Sequence, residues 1–219
     1  MQDSMPWTKS RLGLPHHELH PLGDVTLQLG RAPPSVEGWP EGMERPITGA
    51  CTVLASTTQL SAASPVFRAM FTPNTWLESN PSTRIVPLPD DHPAAMLLLV
   101  QIAHLRFLSV RDNLSRFMLY QLAVICDKYD CLELVAPWLQ RWVDNHQFGG
   151  VYHAGDAFIC WTFGLESVFE AIMKKLIMET SWNEEAGVLV RHSARIPYED
   201  EIMPGDALGE LTSLYVLYW

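Results

Sequence analysis

The sequence predicts an α+β fold in which three short strands precede and interleave with a long run of helices. Three observations carry this. Residues Asp24 to Leu29 alternate, with Val25, Leu27 and Leu29 on one face and Thr26 and Gln28 on the other, as a half-buried strand does. From Thr52 to Phe71 the chain reads as a strand end at Val53-Leu54-Ala55 followed by two short helices. Beyond Met96 apolar residues recur at steps of three and four, the spacing of a helix face.

In chain order, residues 1–22 are polar, hold Pro6, Pro15 and Pro21, and keep no sustained period, which predicts a flexible arm. The arm contains His16-His17-Glu18-Leu19-His20. His16 and His20 would share a helix face, but Pro15 and Pro21 leave barely one turn and the His-Glu-x-x-His spacing is missing, so no metal site is expected. Gly30 ends the Asp24–Leu29 strand. Residues 31–49 carry Pro33, Pro34, Gly38, Pro40, Gly42 and Pro46, too many breakers for an element, and read as a long loop insertion that is either functional or disordered, disorder being the favoured of the two.

Ser56, Thr57 and Thr58 are residues that favour a helix start, and Ser64-Pro65 is a second start signal, because proline at the first helical position sacrifices no bond. Leu60, Ala63, Phe67, Met70 and Phe71 form one apolar ridge. A connection with Trp76 and Leu77 leads to a strand over Arg84 to Leu88. Asp90 and Asp91 stand before Pro93, placing acidic charge at the positive end of the next helix. That helix is apolar on nearly every side from Met96 to Phe107, which predicts a central, buried element.

Leu114, Phe117, Met118, Leu122, Ile125 and Tyr129 mark a further helical stripe; Leu132, Val135, Leu139, Trp142 and Val143 mark another, split or kinked at Pro137. Gly149-Gly150 is the expected boundary. Residues 151–219 then read as a helical extension, with helices over Ala157 to Phe163 and Ser167 to Glu179 and a third starting at the capping-box pattern Ser181-x-x-Glu184. Arg191 to Gly205 is weakly patterned. The apolar tail Leu211 to Trp219 has to dock on the chain's own helices or on a second copy.

A formal charge of −10 argues against nucleic acid as the main partner, since a binding face needs clustered Lys and Arg against phosphates. No apolar leader precedes the domain, and the four cysteines (Cys51, Cys126, Cys131, Cys160) read as reduced, buried thiols of an intracellular protein of the cytoplasm or nucleus. The greasiest run, Ala94 to Val110, is interrupted by Gln101, His104 and Arg106 and falls short of the ~20 residues that span a bilayer, so no membrane is implied.

The motifs of catalysis and cofactor binding are absent: no Gly-x-Gly-x-x-Gly, Gly-x-x-x-x-Gly-Lys, Gly-x-Ser-x-Gly or Cys-x-x-Cys. Cys126 lies in an apolar stripe and, with Cys131, reads as core rather than a metal or redox pair, and His104 reads as a satisfied core histidine rather than a ligand. The reading is therefore a non-enzyme without cofactor, catalytic residue or metal. A transcription-regulatory scaffold without its own DNA-binding domain is the alternative, and a metal-dependent hydrolase the remote one.

The strand, the polar triplet at 56–58, Leu60 and then Ser64-Pro65-Val66-Phe67-Arg68-Ala69-Met70-Phe71 resemble the central signature of the BTB/POZ domain. Gly23-Asp24-Val25-Thr26-Leu27, Arg84-Ile85-Val86-Pro87-Leu88 and Asp127-Lys128-Tyr129-Asp130-Cys131 follow that family's order. Ser56, and Pro137-Trp138 after the last motif, make the form most similar to BTB proteins common in fungi. The resemblance assigns residues 23–147 to a BTB/POZ-like domain, a small sheet packed on an α-helical cluster. It implies self-association and docking of protein partners, including the role of substrate adaptor for a cullin-type ubiquitin ligase. The cullin contact would include Trp76, Leu77 and Glu78, a hydrophobic residue, any residue, then glutamate. Asp24 falls where many dimeric members bury an acid, and Thr57 stands where they place its basic partner. Either Asp24 is exposed or capped, or the charged dimer pocket is unused, and the homodimer expected is weak or non-standard.

Overall fold

The computed structural model describes residues 8–9, 14–31, 49–72, 85–146, 148, 154–183, 188–191 and 194–195. Among them the chain is α+β, and its first sheet is built from β1 (Thr8–Lys9), β2 (Pro15–Glu18), β3 (Val25–Leu29), β4 (Cys51–Ala55) and β5 (Ile85–Leu88) in the order β1-β2-β4-β3-β5. β3 runs antiparallel to β4, with Leu27 opposite Val53, and parallel to β5, with Leu27 opposite Val86. The alternation read from residues 25–29 is realised: Val25, Leu27 and Leu29 are buried and their neighbours half-buried.

The expected flexible arm is corrected over its described part, because Pro15–Glu18 pairs parallel with β4 and Thr8–Lys9 pairs with Pro15–Glu18. Leu14 and Leu19, either side of the polar tetrapeptide, are the buried anchors, and the Leu19 amide donates to the Leu54 carbonyl at 3.1 Å. His16 Nδ1 meets the Thr52 hydroxyl at 2.8 Å. A short strand paired on both sides, with β1 and β4, needs no apolar alternation of its own when its ends are anchored, so the periodicity test had nothing to detect.

β5 closes the sheet's other side. The Leu88 carbonyl accepts from Gly30 at 3.0 Å and so points inward, which turns the main-chain groups of Pro87 outward. Proline there withholds a donor from the sheet edge and blunts it against strand addition.

By compactness the chain divides into residues 1–112 with 125–138, and residues 113–124 with 139–219. In the first unit, α1 (Thr57–Ala63) and α2 (Pro65–Phe71) follow β4 as expected. Ser64 caps α2: its Oγ accepts from the Phe67 amide at 3.1 Å and donates to the Tyr129 carbonyl at 2.6 Å. α3 (Pro93–Ala103) lies against β3, β4 and α1 and buries Met96, Leu99, Val100 and Ile102. Its cap is His92, whose Nδ1 accepts from Ala95 at 3.3 Å. Asp91 turns inward instead, accepting from Lys128 Nζ at 2.6 Å and from the Tyr129 hydroxyl at 2.5 Å, while Asp90 pairs with Arg31 at the surface.

α3 is shorter than the apolar run. It stops at Ala103, and Leu105, Phe107 and Leu108, expected inside, are exposed. Two longer helices, α4 (Arg116–Tyr129) and α5 (Leu132–Asp144), follow a short 3-10 turn at Phe107–Ser109. Their ends in this unit bury Ile125, Cys126, Tyr129, Cys131 and Val135. Pro137 does not split α5; it is exposed, so the Glu133 carbonyl it cannot bond faces solvent and loses little.

The second unit holds the first turns of α4, capped by Ser115 Oγ on the Met118 amide at 3.2 Å. Leu119, Leu122 and Ala123 are buried and Phe117 is exposed, a correction to the expected stripe. Helix starts only at Arg116, so Leu114 is buried from the preceding loop and cannot set the helical phase. α6 (Ala154–Thr162) and α7 (Glu166–Glu179) form the expected hairpin around Ala157, Cys160 and Ile172. The helix expected to start at Ser181 is corrected: among the described residues Thr180–Asn183 (β6), Val188–Arg191 (β7) and Ala194–Arg195 (β8) form an antiparallel sheet. Gly187 weakens a helix there, and Val188-Leu189-Val190 supplies a β-prone partner strand.

The expected boundary at Gly149-Gly150 lies outside the described residues, and the division falls within α4 and α5, because a continuous helix gives no compositional sign of where its neighbours change. Residues 32–48 and 196–219, hence most of the loop insertion and the apolar tail, also lie outside them. No described helix is long and apolar enough to cross a membrane.

Candidate functional site

Two turns of the first unit meet at the surface. One, residues 19–24, joins β2 to β3; the other, residues 104–110, follows α3. The Arg106 guanidinium donates through Nε and Nη2 to the Leu19 carbonyl at 3.2 and 2.9 Å, and the His20 and His104 rings stand edge to face with centroids 6.3 Å apart. The turns are thereby fixed to each other.

The second turn owes its shape to the end of α3. The Leu105 amide bonds the Ile102 carbonyl and the Arg106 amide the Gln101 carbonyl, both at 2.9 Å, the paired bonds of a Schellman ending. Such an ending places one residue in the left-handed region, where glycine fits without cost. α6 ends in the same way with Gly164 at φ 67°, and α4 with Asp130 at φ 49°. After α3 the residue is Leu105, at φ 59°. Its side chain is 67% exposed, followed by Phe107 at 48% and Leu108 at 106%, with Leu22 of the facing turn at 83%. Phe107 is steadied by Trp138, ring centroids 5.3 Å apart.

Behind the apolar rim lies a polar row. The Asp24 carboxylate accepts from the Thr57 amide at 2.8 Å and from the Thr57 hydroxyl at 2.6 Å. Of the two alternatives left by the sequence, Asp24 is exposed and capped: the missing basic partner is replaced by a helix start. Ser56, expected as a side-chain cap, makes no capping bond. Partial burial pushes the Asp24 pKa upward, but the two bonds from Thr57 outweigh it and the net shift is downward. His104 behaves as the satisfied core histidine expected. Its Nε2 accepts from the Ser56 amide and its Nδ1 meets the Val100 carbonyl, both at 2.8 Å, and burial holds its pKa below the usual histidine range, with the nearby His20 and Arg106 lowering it further.

The four cysteines are free and buried; burial raises Cys51 to about 11 and Cys160 to about 12, and the hydrogen bond with Cys131, then burial, pushes Cys126 up, so these three are thiols rather than nucleophilic thiolates at neutral pH. No three His, Cys, Asp or Glu side chains among the described residues are placed to hold a metal. A dent lined by Leu60, Ala63, Phe67, Leu99, Ala103 and Leu134 is apolar and too tight to admit even a water molecule.

Of the residues singled out from sequence, Asp24 and Thr57 are brought together, while Trp76, Leu77 and Glu78 lie outside the described residues. The exposed turn at 105–108 escaped the sequence reading, which took its apolar residues for core. Arg106, breaking the run beside His104, was the available signal. No family model matches the chain, and no curated protein matches it.

Proposed function

We propose that this chain is a protein-interaction module of the BTB/POZ kind, working by self-association and by docking protein partners. The observation that carries the reading is Leu105. A leucine in the left-handed region costs about 1–2 kcal/mol over glycine, and a side chain left 67% exposed regains little of it by burial. Backbone strain that the monomer does not repay, beside a fully exposed Leu108, is a reason to look for a partner surface. A few side chains carry most of the energy of an interface, and Phe107 and Trp138 supply aromatic surface beside the leucines. The order of motifs from Asp24 through Ser64-Pro65-Val66-Phe67 to Tyr129-Asp130-Cys131 supports the family. Pro87 at the sheet edge makes strand addition on β5 the less favoured mode of assembly.

Sedimentation of the full chain across about a hundredfold dilution tests this. Association that weakens on dilution, and that is lost in Leu108→Asp with the fold intact, is expected. A monomer at every concentration, or an oligomer indifferent to Leu108→Asp, removes self-association through this surface.

A further inference from the structure

We propose that His104 is a pH-sensitive latch on this docking surface, holding the Leu105–Ser109 turn in place while its ring is neutral and releasing it when the ring takes up a proton. The proposal rests on the docking reading above and names how that surface is regulated.

The geometry fixes the ring's state. An amide N–H can only donate, so Nε2, 2.8 Å from the Ser56 nitrogen, carries no proton. A carbonyl can only accept, so Nδ1, 2.8 Å from the Val100 oxygen, carries one. The neutral Nδ1–H tautomer alone satisfies both partners. A proton added at Nε2 leaves the Ser56 amide without its acceptor and places a buried charge at the junction of three segments.

Those segments surround the docking turn. Ser56 opens α1, and its neighbour Thr57 is held by Asp24. His104 is the last residue before Leu105, whose left-handed conformation is kept by the helix-end bonds and by Arg106 on the Leu19 carbonyl. The charged and titratable groups acting on the ring are His20 from the β2–β3 turn and Arg106 from its own turn; Asp24, in the same turn as His20, is bonded to Thr57. β4, the first turn of α1 and α3 add none, since Cys51–Ala55, Ser56–Gln59 and Pro93–Ala103 hold no acidic or basic residue other than Cys51. Arg106, and His20 when protonated, oppose a second positive charge; Asp24 is already engaged by Thr57. Strain stored at Leu105 favours opening once the latch is lost.

The test uses the full chain, dilute and without a partner. Ring nitrogen NMR reports the His104 tautomer, and hydrogen exchange, corrected for its intrinsic pH dependence, reports local opening at Ser56 and at 105–109. If the open state has an ordinary histidine pKa of about 6.5 and the closed state stays neutral, opening rises about tenfold between about pH 7.5 and 5.5. His104→Gln, whose amide oxygen can accept from Ser56 and does not titrate, should flatten that rise. Protection unchanged over this range, or a protonated ring with Ser56 still protected, overturns the latch, as does an equal rise in a folded His104→Gln. The docking reading stands or falls separately, on association at neutral pH with and without Leu108→Asp.

Discussion

Thr57 gives both of its hydrogens, from the amide and from the hydroxyl, to the two oxygens of the Asp24 carboxylate. The helix start that Ser56 leaves uncapped is thus closed by a residue 33 positions earlier in the chain, which ties β3 to α1. Removing a cap costs about 1 kcal/mol, so Asp24→Ala should lower stability by about that amount in chemical denaturation. Because the folded carboxyl titrates below the unfolded one, its contribution is complete above about pH 4 and fades as the pH falls through the folded value. The gap between wild type and Asp24→Ala should close in acid; a gap that is constant with pH would mean that the charge of Asp24 contributes nothing.

Leu105→Gly separates stability from association. Relief of about 1–2 kcal/mol of left-handed strain matches or exceeds the ~0.5–1 kcal/mol that glycine loses in chain entropy, so the monomer should gain up to about 1.5 kcal/mol while self-association weakens. Thermal unfolding and sedimentation of the same preparation read both. A variant less stable than wild type shows that the Leu105 side chain serves the monomer's own packing.

The expectation that Trp76, Leu77 and Glu78 dock on a cullin can be tested directly. If Trp76 is an anchor, Trp76→Ala should cost 2 kcal/mol or more, roughly thirtyfold in affinity, against the amino-terminal domain of a cullin, with circular dichroism unchanged. Equal affinities for the two proteins, or no wild-type binding, removes that role for Trp76-Leu77-Glu78.

What sequence made legible here was local. Alternation at Val25–Leu29, the Ser64-Pro65 start and the α6–α7 hairpin each rest on signals within a few residues, and each is realised. What it missed depends on distant partners. β2 exists because β4 offers it an edge, and Ser181 lies in a strand because Val188–Arg191 lies opposite. The exposed turn at Leu105–Leu108 was hidden for a further reason: in an apolar run, exposure is decided by where the helix stops. The bifurcated bond that the His104 amide donates to the Val100 and Gln101 carbonyls, at 3.0 and 3.2 Å, and the left-handed turn at Leu105 decide that, and neither has a compositional signature.

The last prediction concerns the buried cluster of Asp91, Lys128 and Tyr129. Asp91 is buried, Lys128 is half exposed, and the Tyr129 hydroxyl reaches the second carboxylate oxygen at 2.5 Å. Burial, then this bond, pushes the Tyr129 pKa upward, so at any ordinary pH the phenol is a donor. Its ring stacks on Phe67 with centroids 4.5 Å apart, and its carbonyl takes the Ser64 hydroxyl. Tyr129→Phe keeps the stacking and the carbonyl but strips one partner from a buried carboxylate, which should cost about 1–3 kcal/mol. Phe67→Ala removes the other ring and leaves a cavity, at about 3–5 kcal/mol. Since the two changes act on touching groups, their effects should not add, and the double variant in a denaturation cycle should show coupling of at least about 0.5 kcal/mol. Strict additivity would mean that the ring contact and the Asp91 bond stabilise this corner independently, and an unchanged melting temperature for Phe67→Ala would remove Phe67 from the core.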